Sequence, residues 1–188
     1  MTDKLIILDR DGVINEDSDA YIKSPEEFIP IPGSLAAIAQ LNKAGFTVVV
    51  ATNQSGIARG YFDVATLNAM HDKLNKLLAI KGGRIDRIYY CPHGPDDNCA
   101  CRKPEPGMLR QILVDYKARP SEAIAVGDSL RDLQATAALD IKSFLVRTGK
   151  GRQTESQLSS YQALSGTLIF DNLADAVTYL VSEIDKRK

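Results

Sequence analysis

The sequence lacks an excess of charge of either sign. It has 23 Lys and Arg against 24 Asp and Glu, which leaves a formal net charge of -1. Proteins that bind nucleic acid usually present an overall positive field, so this balance argues against a nucleic acid partner. A small anionic substrate would need a local group of cations.

Long hydrophobic runs are also absent. The N-terminal MTDKLIILDRDGV contains an apolar run too short for a signal sequence, and no stretch is long enough to span a bilayer. We therefore expect a cytoplasmic protein with no membrane partner. The 188 residues, 44% of them hydrophobic, suit a single domain covering 1–188. We expect a monomer, because no long exposed apolar element stands out.

Cysteine is scarce, and all three cysteines lie in the segment CPHGPDDNCAC, residues 91–101. An odd number of cysteines clustered with a histidine in a reducing compartment favours a metal site over disulfides. Residues two apart in an extended segment point to the same side, so the C-x-H and C-x-C pairs can converge. Cys91, His93, Cys99 and Cys101 make a complete tetrahedral zinc set, which predicts a structural ion.

Apolar, β-branched runs alternate with helical patterns along the chain. Val48 to Val50 show no polar alternation, which is typical of strands buried on both faces of a parallel sheet. The pattern predicts a doubly wound, Rossmann-like α/β fold with helices on both faces. We expect residues 150–166, rich in Ser and Gln, to form a surface connection with at most a short helix. The strand candidates are LIILDRD, FTVVVATNQ, RIYYCPH, AIAVGDS, SFLVRTGKG and TLIFDN, and the helix candidates are PGSLAAIAQLNKAG, DVATLNAMHDKLNKLLAIKGG, KPEPGMLRQILVDYKA and SLRDLQATAALD.

Polar residues collect where four predicted strands or their loops end. In an open parallel sheet, ligands bind outside the carboxyl ends of the strands, near a switch in strand order. We therefore expect these residues to meet at one edge: Asp9, Asp11, Thr52, Asn53, Arg102, Lys103, Asp128 and Ser129.

This set matches the needs of phosphoryl transfer from a monoester. Asp9 and Asp128 can supply the one or two carboxylates that Mg²⁺ takes from proteins. An ionised aspartate can attack phosphorus and form an acyl phosphate. Lys103 can offset the negative charge. Thr52 and backbone N–H groups near Gly12 can hold phosphate oxygens, and a second carboxyl group can serve as acid and base. Asp11 is the candidate for that role.

Each of these features also has a simpler explanation when it stands alone. A D-x-D sequence after a strand is often a turn or a helix cap, and Thr52 with Asn53 can cap a helix. Arg102 and Lys103 alone would be solvated charges, whereas Asp128 alone could be an N-terminal helix charge. Their joint arrival at strand ends favours catalysis. We assign His71, in an amphipathic helical pattern, a structural or surface role.

At these residues the chain resembles the haloacid dehalogenase (HAD) superfamily of aspartate-nucleophile phosphohydrolases. Its four motifs appear in order as LDRDGVIN, ATNQ, RKP and GDSLRD. The resemblance implies Asp9 as nucleophile, Asp11 as general acid and base, and Thr52 and Lys103 as phosphoryl stabilisers. It also implies that Asp9, Asp128 and the Asp11 carbonyl bind Mg²⁺, with the Ser129 backbone nearby, and that Asp132 orients the metal shell.

Within the superfamily, TNQSGIARGYF, the zinc loop and LVRTGKG resemble the D-glycero-D-manno-heptose 1,7-bisphosphate 7-phosphatases of lipopolysaccharide precursor synthesis. No interval is long enough for a separate cap domain, so substrate selection should fall to loops. Arg59 is our own addition, because a second phosphate needs a cation. The expected substrate contacts are Asp17, Ser18, Tyr21, Thr52, Asn53, Gln54, Ser55, Arg59, Arg102 and Lys103.

Two alternatives stay open at this point. The short GPDDN segment within the zinc loop is similar to that of histidinol-phosphate phosphatases, which keeps that substrate in consideration. A non-catalytic phosphate-binding zinc module is the alternative of another class. A binding module would need neither a nucleophile nor an acid, whereas both Asp9 and Asp11 are present. The near-neutral charge and the lack of interleaved aromatics speak against a polynucleotide phosphatase.

Overall fold

Six parallel strands form one sheet in the computed structural model, which describes residues 4–186. The spatial order is β3-β2-β1-β4-β5-β6. All six strands coincide with the predicted runs, although β1 and β5 each begin one residue earlier, and the predicted doubly wound fold is confirmed. The strands are β1 (Lys4–Leu8), β2 (Phe46–Asn53), β3 (Arg87–Cys91), β4 (Ala123–Gly127), β5 (Lys142–Val146) and β6 (Leu168–Phe170).

Six helices connect or follow the strands: α1 (Ser34–Lys43), α2 (Val64–Ile80), α3 (Gly107–Asp115), α4 (Leu130–Ala137), α5 (Gly151–Gln157) and α6 (Leu173–Asp185). The first four match the predicted helical patterns. Helix α6 was not predicted, although Leu173, Ala176, Val177 and Leu180 recur at helical spacing and are buried.

The sheet is covered on both faces because successive strand residues point to opposite sides. In β1, Ile6 and Leu8 join the core that includes buried residues of α1, α2 and α6. Leu5 and Ile7 join the opposite core, which includes the apolar side of α3. This two-sided burial explains why the strands have continuous apolar sequences.

The reversal of strand order places the end of β1 at the centre of the sheet. Leu8 is in register with Val50 of β2 on one side and with Val126 of β4 on the other. The carboxyl ends of these three strands are therefore level with one another. Polar residues that follow them meet in one place, as expected at a topological switch point.

The expectation of a surface connection over residues 150–166 was wrong in one respect. This segment contains α5 and two short 3-10 helices, and it contributes to the interior. Leu164 is buried against Leu133 and Leu145, and Thr154 is also buried. One leucine among Ser and Gln residues leaves no periodic signal, which is why the sequence did not reveal this packing.

Between β1 and α1 the chain forms turns and isolated bridges rather than an inserted domain. Between β2 and β3 the chain forms a single helix, α2. Across residues 4–186, the structure contains no helix with both the length and the apolar character needed to cross a bilayer.

Candidate active site

Three carboxylates meet at the carboxyl ends of β1 and β4. Asp9 follows β1 directly, and its backbone N–H donates to Val126 O at 2.9 Å. Asp128 and Asp132 come from the turn after β4 and the first turn of α4. One carboxylate oxygen from each of Asp9, Asp128 and Asp132 lies within 4.8 Å of the others.

Burial and mutual repulsion disfavour the charged forms of two of these groups. Desolvation, followed by the charge of Asp132, raises the pKa of Asp9 to about 7. The same two causes, in the same order, raise the pKa of Asp128 to about 8. A cation bound between Asp9 and Asp128 would favour the charged forms of both carboxylates.

The donor set fits Mg²⁺, which prefers carboxylate and carbonyl oxygens and retains several waters. Asp9 and Asp128 are the residues that would hold the ion. The Asp132 carboxylate already has hydrogen-bond partners within the protein. It accepts hydrogen bonds from the Ser129 N–H (3.0 Å), from the Ser129 hydroxyl (2.6 Å) and from Lys103. This arrangement agrees with an orienting role for Asp132.

Lys103 is the cation beside the predicted nucleophile. Its side chain is buried, and its Nζ lies 3.2 Å from Asp9 Oδ1, contacts Asp132 and donates to Ala51 O at 2.7 Å. Burial disfavours the ammonium, but the carboxylates of Asp132 and Asp9 outweigh burial and raise the pKa of Lys103 above its ordinary value. Lys103 is therefore a fixed positive charge.

Asp11 is held by several donors at the edge of the pocket. Its carboxylate accepts hydrogen bonds from Arg10 Nε and Nη2, from Asn15 Nδ2 at 2.8 Å and from Gln54 Nε2 at 2.9 Å. The Gln54 amide also donates to Thr52 Oγ1 at 2.9 Å. Asp11 and Thr52, which were predicted separately, are thus joined through one amide.

Gly12 forms the tight turn between these carboxylates. Its φ is +80°, and a Cβ at this position would lie 2.1 Å from Asp128 Oδ2. Thr148 Oγ1 donates to Gly12 O at 2.6 Å, and the Lys150 N–H donates to Asp128 Oδ2 at 2.7 Å. The loop after β5 therefore supports both the turn and the carboxylate, a role that sequence reasoning missed.

The carboxylates form the floor of a pocket of about 280 Å³. Every residue expected to bind substrate or catalyse lines it: Asp9, Asp11, Asp17, Ser18, Tyr21, Thr52, Asn53, Gln54, Ser55, Arg59, Arg102 and Lys103. Asp128 and Ser129 line it as well. Sequence reasoning missed Asp19, Arg131 and Lys150 in this lining. Their signal, a charged residue in a loop, is too common to single them out.

Tyr21 and Arg59 meet in the lining of the pocket. Tyr21 has a φ of 66°, a conformation uncommon for a bulky residue. The guanidinium carbon of Arg59 lies 5.8 Å from the centroid of the Tyr21 ring, and the Tyr61 ring lies 5.1 Å from it. The loops after β1 and β2 are thereby linked across the pocket.

The predicted zinc ligands form a compact cluster. The sulfurs of Cys91, Cys99 and Cys101 lie 3.2 to 3.6 Å apart, and His93 Nδ1 lies 3.5 Å from Cys91 Sγ and 3.4 Å from Cys101 Sγ. Zn–S bonds of about 2.3 Å in a tetrahedron place sulfurs roughly 3.8 Å apart. The soft donor set and the spacing therefore fit Zn²⁺.

Comparisons with known proteins agree with this geometry. Residues 100–176 match the HAD-hydrolase-like family model. The chain is 57% identical over 180 residues to the D-glycero-beta-D-manno-heptose-1,7-bisphosphate 7-phosphatase of Bordetella bronchiseptica, covering 96% of this chain and 99% of the relative. The corresponding enzyme of Pseudomonas aeruginosa is 56% identical over 181 residues, with 96% and 99% covered. The chain belongs to this family of HAD-like phosphatases.

A crystal structure from the same family has the same fold. The D,D-heptose 1,7-bisphosphate phosphatase from B. bronchiseptica, solved with magnesium and phosphate, superposes with a TM-score of 0.91 over 96% of this chain and 99% of that chain. Membership in the family makes this chain a phosphatase, so the prediction of a phosphoric monoester hydrolase is confirmed.

Proposed function

We propose that the protein removes the C7 phosphate of D-glycero-beta-D-manno-heptose 1,7-bisphosphate in the synthesis of heptose precursors of lipopolysaccharide. The observation that carries the reaction is the placement of the Asp9 carboxylate at the pocket floor, beside Lys103 and Asp128, with Asp11 two residues away. The substrate is supported by the relatives named above, which align along almost the whole chain.

The first step transfers the phosphoryl group from the substrate to Asp9. A carboxylate oxygen of Asp9 attacks the C7 phosphate, a P–O bond forms to Asp9, and the bond from phosphorus to O7 breaks. Asp11 gives its proton to O7 so that the sugar leaves as an alcohol. Bound Mg²⁺ would neutralise charge on the nucleophile and the phosphate. Lys103 supplies a second positive charge, and Thr52 with the backbone near Gly12 holds phosphate oxygens.

The second step hydrolyses the aspartyl phosphate. Asp11, now ionised, accepts a proton from water as the water oxygen attacks phosphorus. Inorganic phosphate leaves and the Asp9 carboxylate is restored. The hydrogen bonds from Arg10, Asn15 and Gln54 fix the orientation of the Asp11 side chain for both steps.

The second phosphate of the substrate would meet the arginines that line the pocket. Arg59, Arg102 and Arg131 line the pocket around the carboxylates. Burial, and next the neighbouring charge of Arg131, lower the pKa of Arg102. An anion between two such guanidinium groups would relieve their repulsion. We therefore propose that Arg102 and Arg131, together with Arg59 of the same pocket lining, select a bisphosphate over a monophosphate.

We include four further expectations in this proposal. The protein binds a structural zinc ion, it is located in the cytoplasm, it is a single-domain monomer, and it has no nucleic acid or membrane partner. The three cysteines are free thiols close enough to share one ion, which suits a reducing compartment.

The test is phosphate release with Mg²⁺ from both anomers of the heptose bisphosphate, with histidinol phosphate as the competing substrate. We expect turnover of the β anomer, a product that keeps its C1 phosphate by ³¹P NMR, and loss of turnover in Asp9→Asn. A preference for histidinol phosphate would contradict the proposed substrate. Phosphate binding without turnover in the wild type would instead favour the non-catalytic module.

A further inference from the structure

Arg10 lies between the two proposed catalytic aspartates in the sequence. Its side chain is buried and does not line the pocket, although it contacts two residues that do, Asp11 and Gln54. The residue is fully buried, and its guanidinium lies 5.8 Å from the centroid of the Phe28 ring. A buried guanidinium needs a partner for its charge and for its N–H groups. The structure gives it a carboxylate, an amide and an imidazole.

The guanidinium group of Arg10 makes hydrogen bonds to Asp11 and to two further side chains, Gln54 and His71. Nε and Nη2 donate to the Asp11 carboxylate at 2.9 to 3.1 Å, and Nη2 also lies 3.3 Å from Gln54 Oε1. Nη1 lies 3.3 Å from His71 Nε2. Arginine only donates, so His71 Nε2 must be the acceptor and the ring proton must sit on Nδ1.

His71 is suited to this accepting role. It lies in α2, is 7% exposed, and burial, followed by the charge of Arg10, lowers its pKa to about 4. The imidazole is therefore neutral at physiological pH. Through His71, helix α2 contacts the guanidinium group that donates hydrogen bonds to Asp11.

We propose that Arg10, braced by His71, is a positioning residue that fixes the Asp11 carboxylate for proton transfer to and from the reacting oxygens. This inference rests on the proposed function of Asp11 as acid and base. Arg10 does not line the pocket, so its side chain acts on the substrate through Asp11, which it binds at 2.9 to 3.1 Å, and through the weaker contact with Gln54 at 3.3 Å. Misplacement of a catalytic group by about 1 Å can cost on the order of 100-fold in rate.

Substrates with different leaving groups distinguish a misplaced Asp11 from general damage to the active site. An alkyl alcohol needs a proton as it leaves, whereas p-nitrophenolate leaves as a stable anion. kcat/KM reports the steps up to phosphoryl transfer to Asp9. A misplaced Asp11 should therefore lower kcat/KM for an alkyl phosphate far more than for p-nitrophenyl phosphate.

The test compares His71→Leu, which removes the acceptor, with His71→Gln, which presents an amide oxygen near the position of Nε2. For His71→Leu we expect kcat/KM to fall about 10- to 100-fold on the heptose bisphosphate and less than threefold on p-nitrophenyl phosphate. We expect His71→Gln to stay within threefold of wild type on both. β-Glycerophosphate is assayed as a second alkyl ester.

Equal losses on alkyl and aryl substrates, or no loss in His71→Leu, would overturn the positioning role. If His71→Leu does not fold, His71→Asn, whose amide is too short to reach Arg10, replaces it with the same expectation. A wild type inactive on the heptose but active on β-glycerophosphate would count against the proposed substrate, and the alkyl and aryl comparison would still decide the role of His71.

Discussion

The side chain of Asn53 makes two hydrogen bonds with the backbone of Lys103. Asn53 Nδ2 donates to Lys103 O at 2.9 Å, and the Lys103 N–H donates to Asn53 Oδ1 at 3.1 Å. The end of β2 thus holds the residue that follows the zinc loop, 50 positions away in the chain. Asn53 lines the pocket, as expected of a substrate contact, and its amide also positions the backbone of Lys103.

Replacing Asn53 should therefore impair catalysis through Lys103. Asn53→Ala removes both hydrogen bonds and leaves the Lys103 backbone unpaired, at a cost of about 1–3 kcal/mol. We expect kcat to fall about 10- to 100-fold. Asn68→Ala, on an exposed position of α2, is the matched control and should leave both kcat and the melting temperature unchanged. Steady-state kinetics and thermal unfolding of the two variants check this expectation.

Gly12 offers a test with a closely matched control. Gly12 and Gly45 have φ values of +80° and +85°, so alanine strains the backbone similarly at both. A Cβ on Gly12 would meet Asp128 Oδ2, whereas nothing lies within 4 Å of a Cβ on Gly45. We expect Gly12→Ala to reduce kcat/KM at least 100-fold at fixed Mg²⁺, and Gly45→Ala to cost only about 1 kcal/mol of stability. Similar kinetics in the two variants would contradict the role of the turn in placing Asp128.

Binding of Mg²⁺ should release protons. In the metal-free protein the pKa of Asp9 is about 7 and that of Asp128 about 8, chiefly because both are buried. Ligand carboxylates must ionise to bind a cation, so affinity should rise from pH 6 to 8 and level off above that range. Calorimetry at pH 7 in buffers of different ionisation enthalpy should show about one or more protons released. Asp115→Asn, which changes an aspartate of α3 away from the cluster, should release the same number.

The stability of the fold should depend on pH through His71. Its folded pKa of about 4 lies below the ordinary value of 6.5, so the unfolded chain binds the proton more readily. The stabilising contribution is present above pH 6.5 and is lost as the pH falls towards 4, by about 3 kcal/mol at most. Denaturant unfolding at several pH values should show a shallower pH dependence for His71→Gln than for wild type. Parallel curves would rule out this contribution, since the other titrating groups are common to both proteins.

Removal of one zinc ligand should loosen the loop that leads to Lys103. In Cys101→Ser we expect loss of bound zinc, a lower melting temperature and reduced kcat with the aspartates intact. Metal analysis, thermal unfolding and kinetics at saturating Mg²⁺ measure the three effects. A zinc-free variant with normal kinetics would show that the ion does not position the catalytic lysine.

The proposed catalytic centre was largely predictable because Asp9, Thr52 and Asp128 lie at the ends of strands with strong apolar patterns. The meeting of Asp9 and Asp128 could be predicted because the carboxyl ends of parallel strands lie at one edge of the sheet, and the Cys and His cluster could be predicted from its spacing. The roles of Thr148 and Lys150 could not be predicted, because they depend on how the loop after β5 packs on Gly12 and on Asp128, which belong to two other loops. The contact between Arg10 and His71 was equally hidden, since an arginine after a strand gives no sign of pointing inward.

The cluster of three cysteines and His93 also divides the loop after β3 into anchored ends and an exposed span. Residues 95–98 are exposed, while Cys91 and the Cys99 to Cys101 pair close the span at its base. Insertions within this span can lengthen the pocket rim near Pro95 without shifting Lys103, which Asn53 holds from the sheet. Substrate preference can therefore evolve in this loop while the hydrolytic machinery stays unchanged.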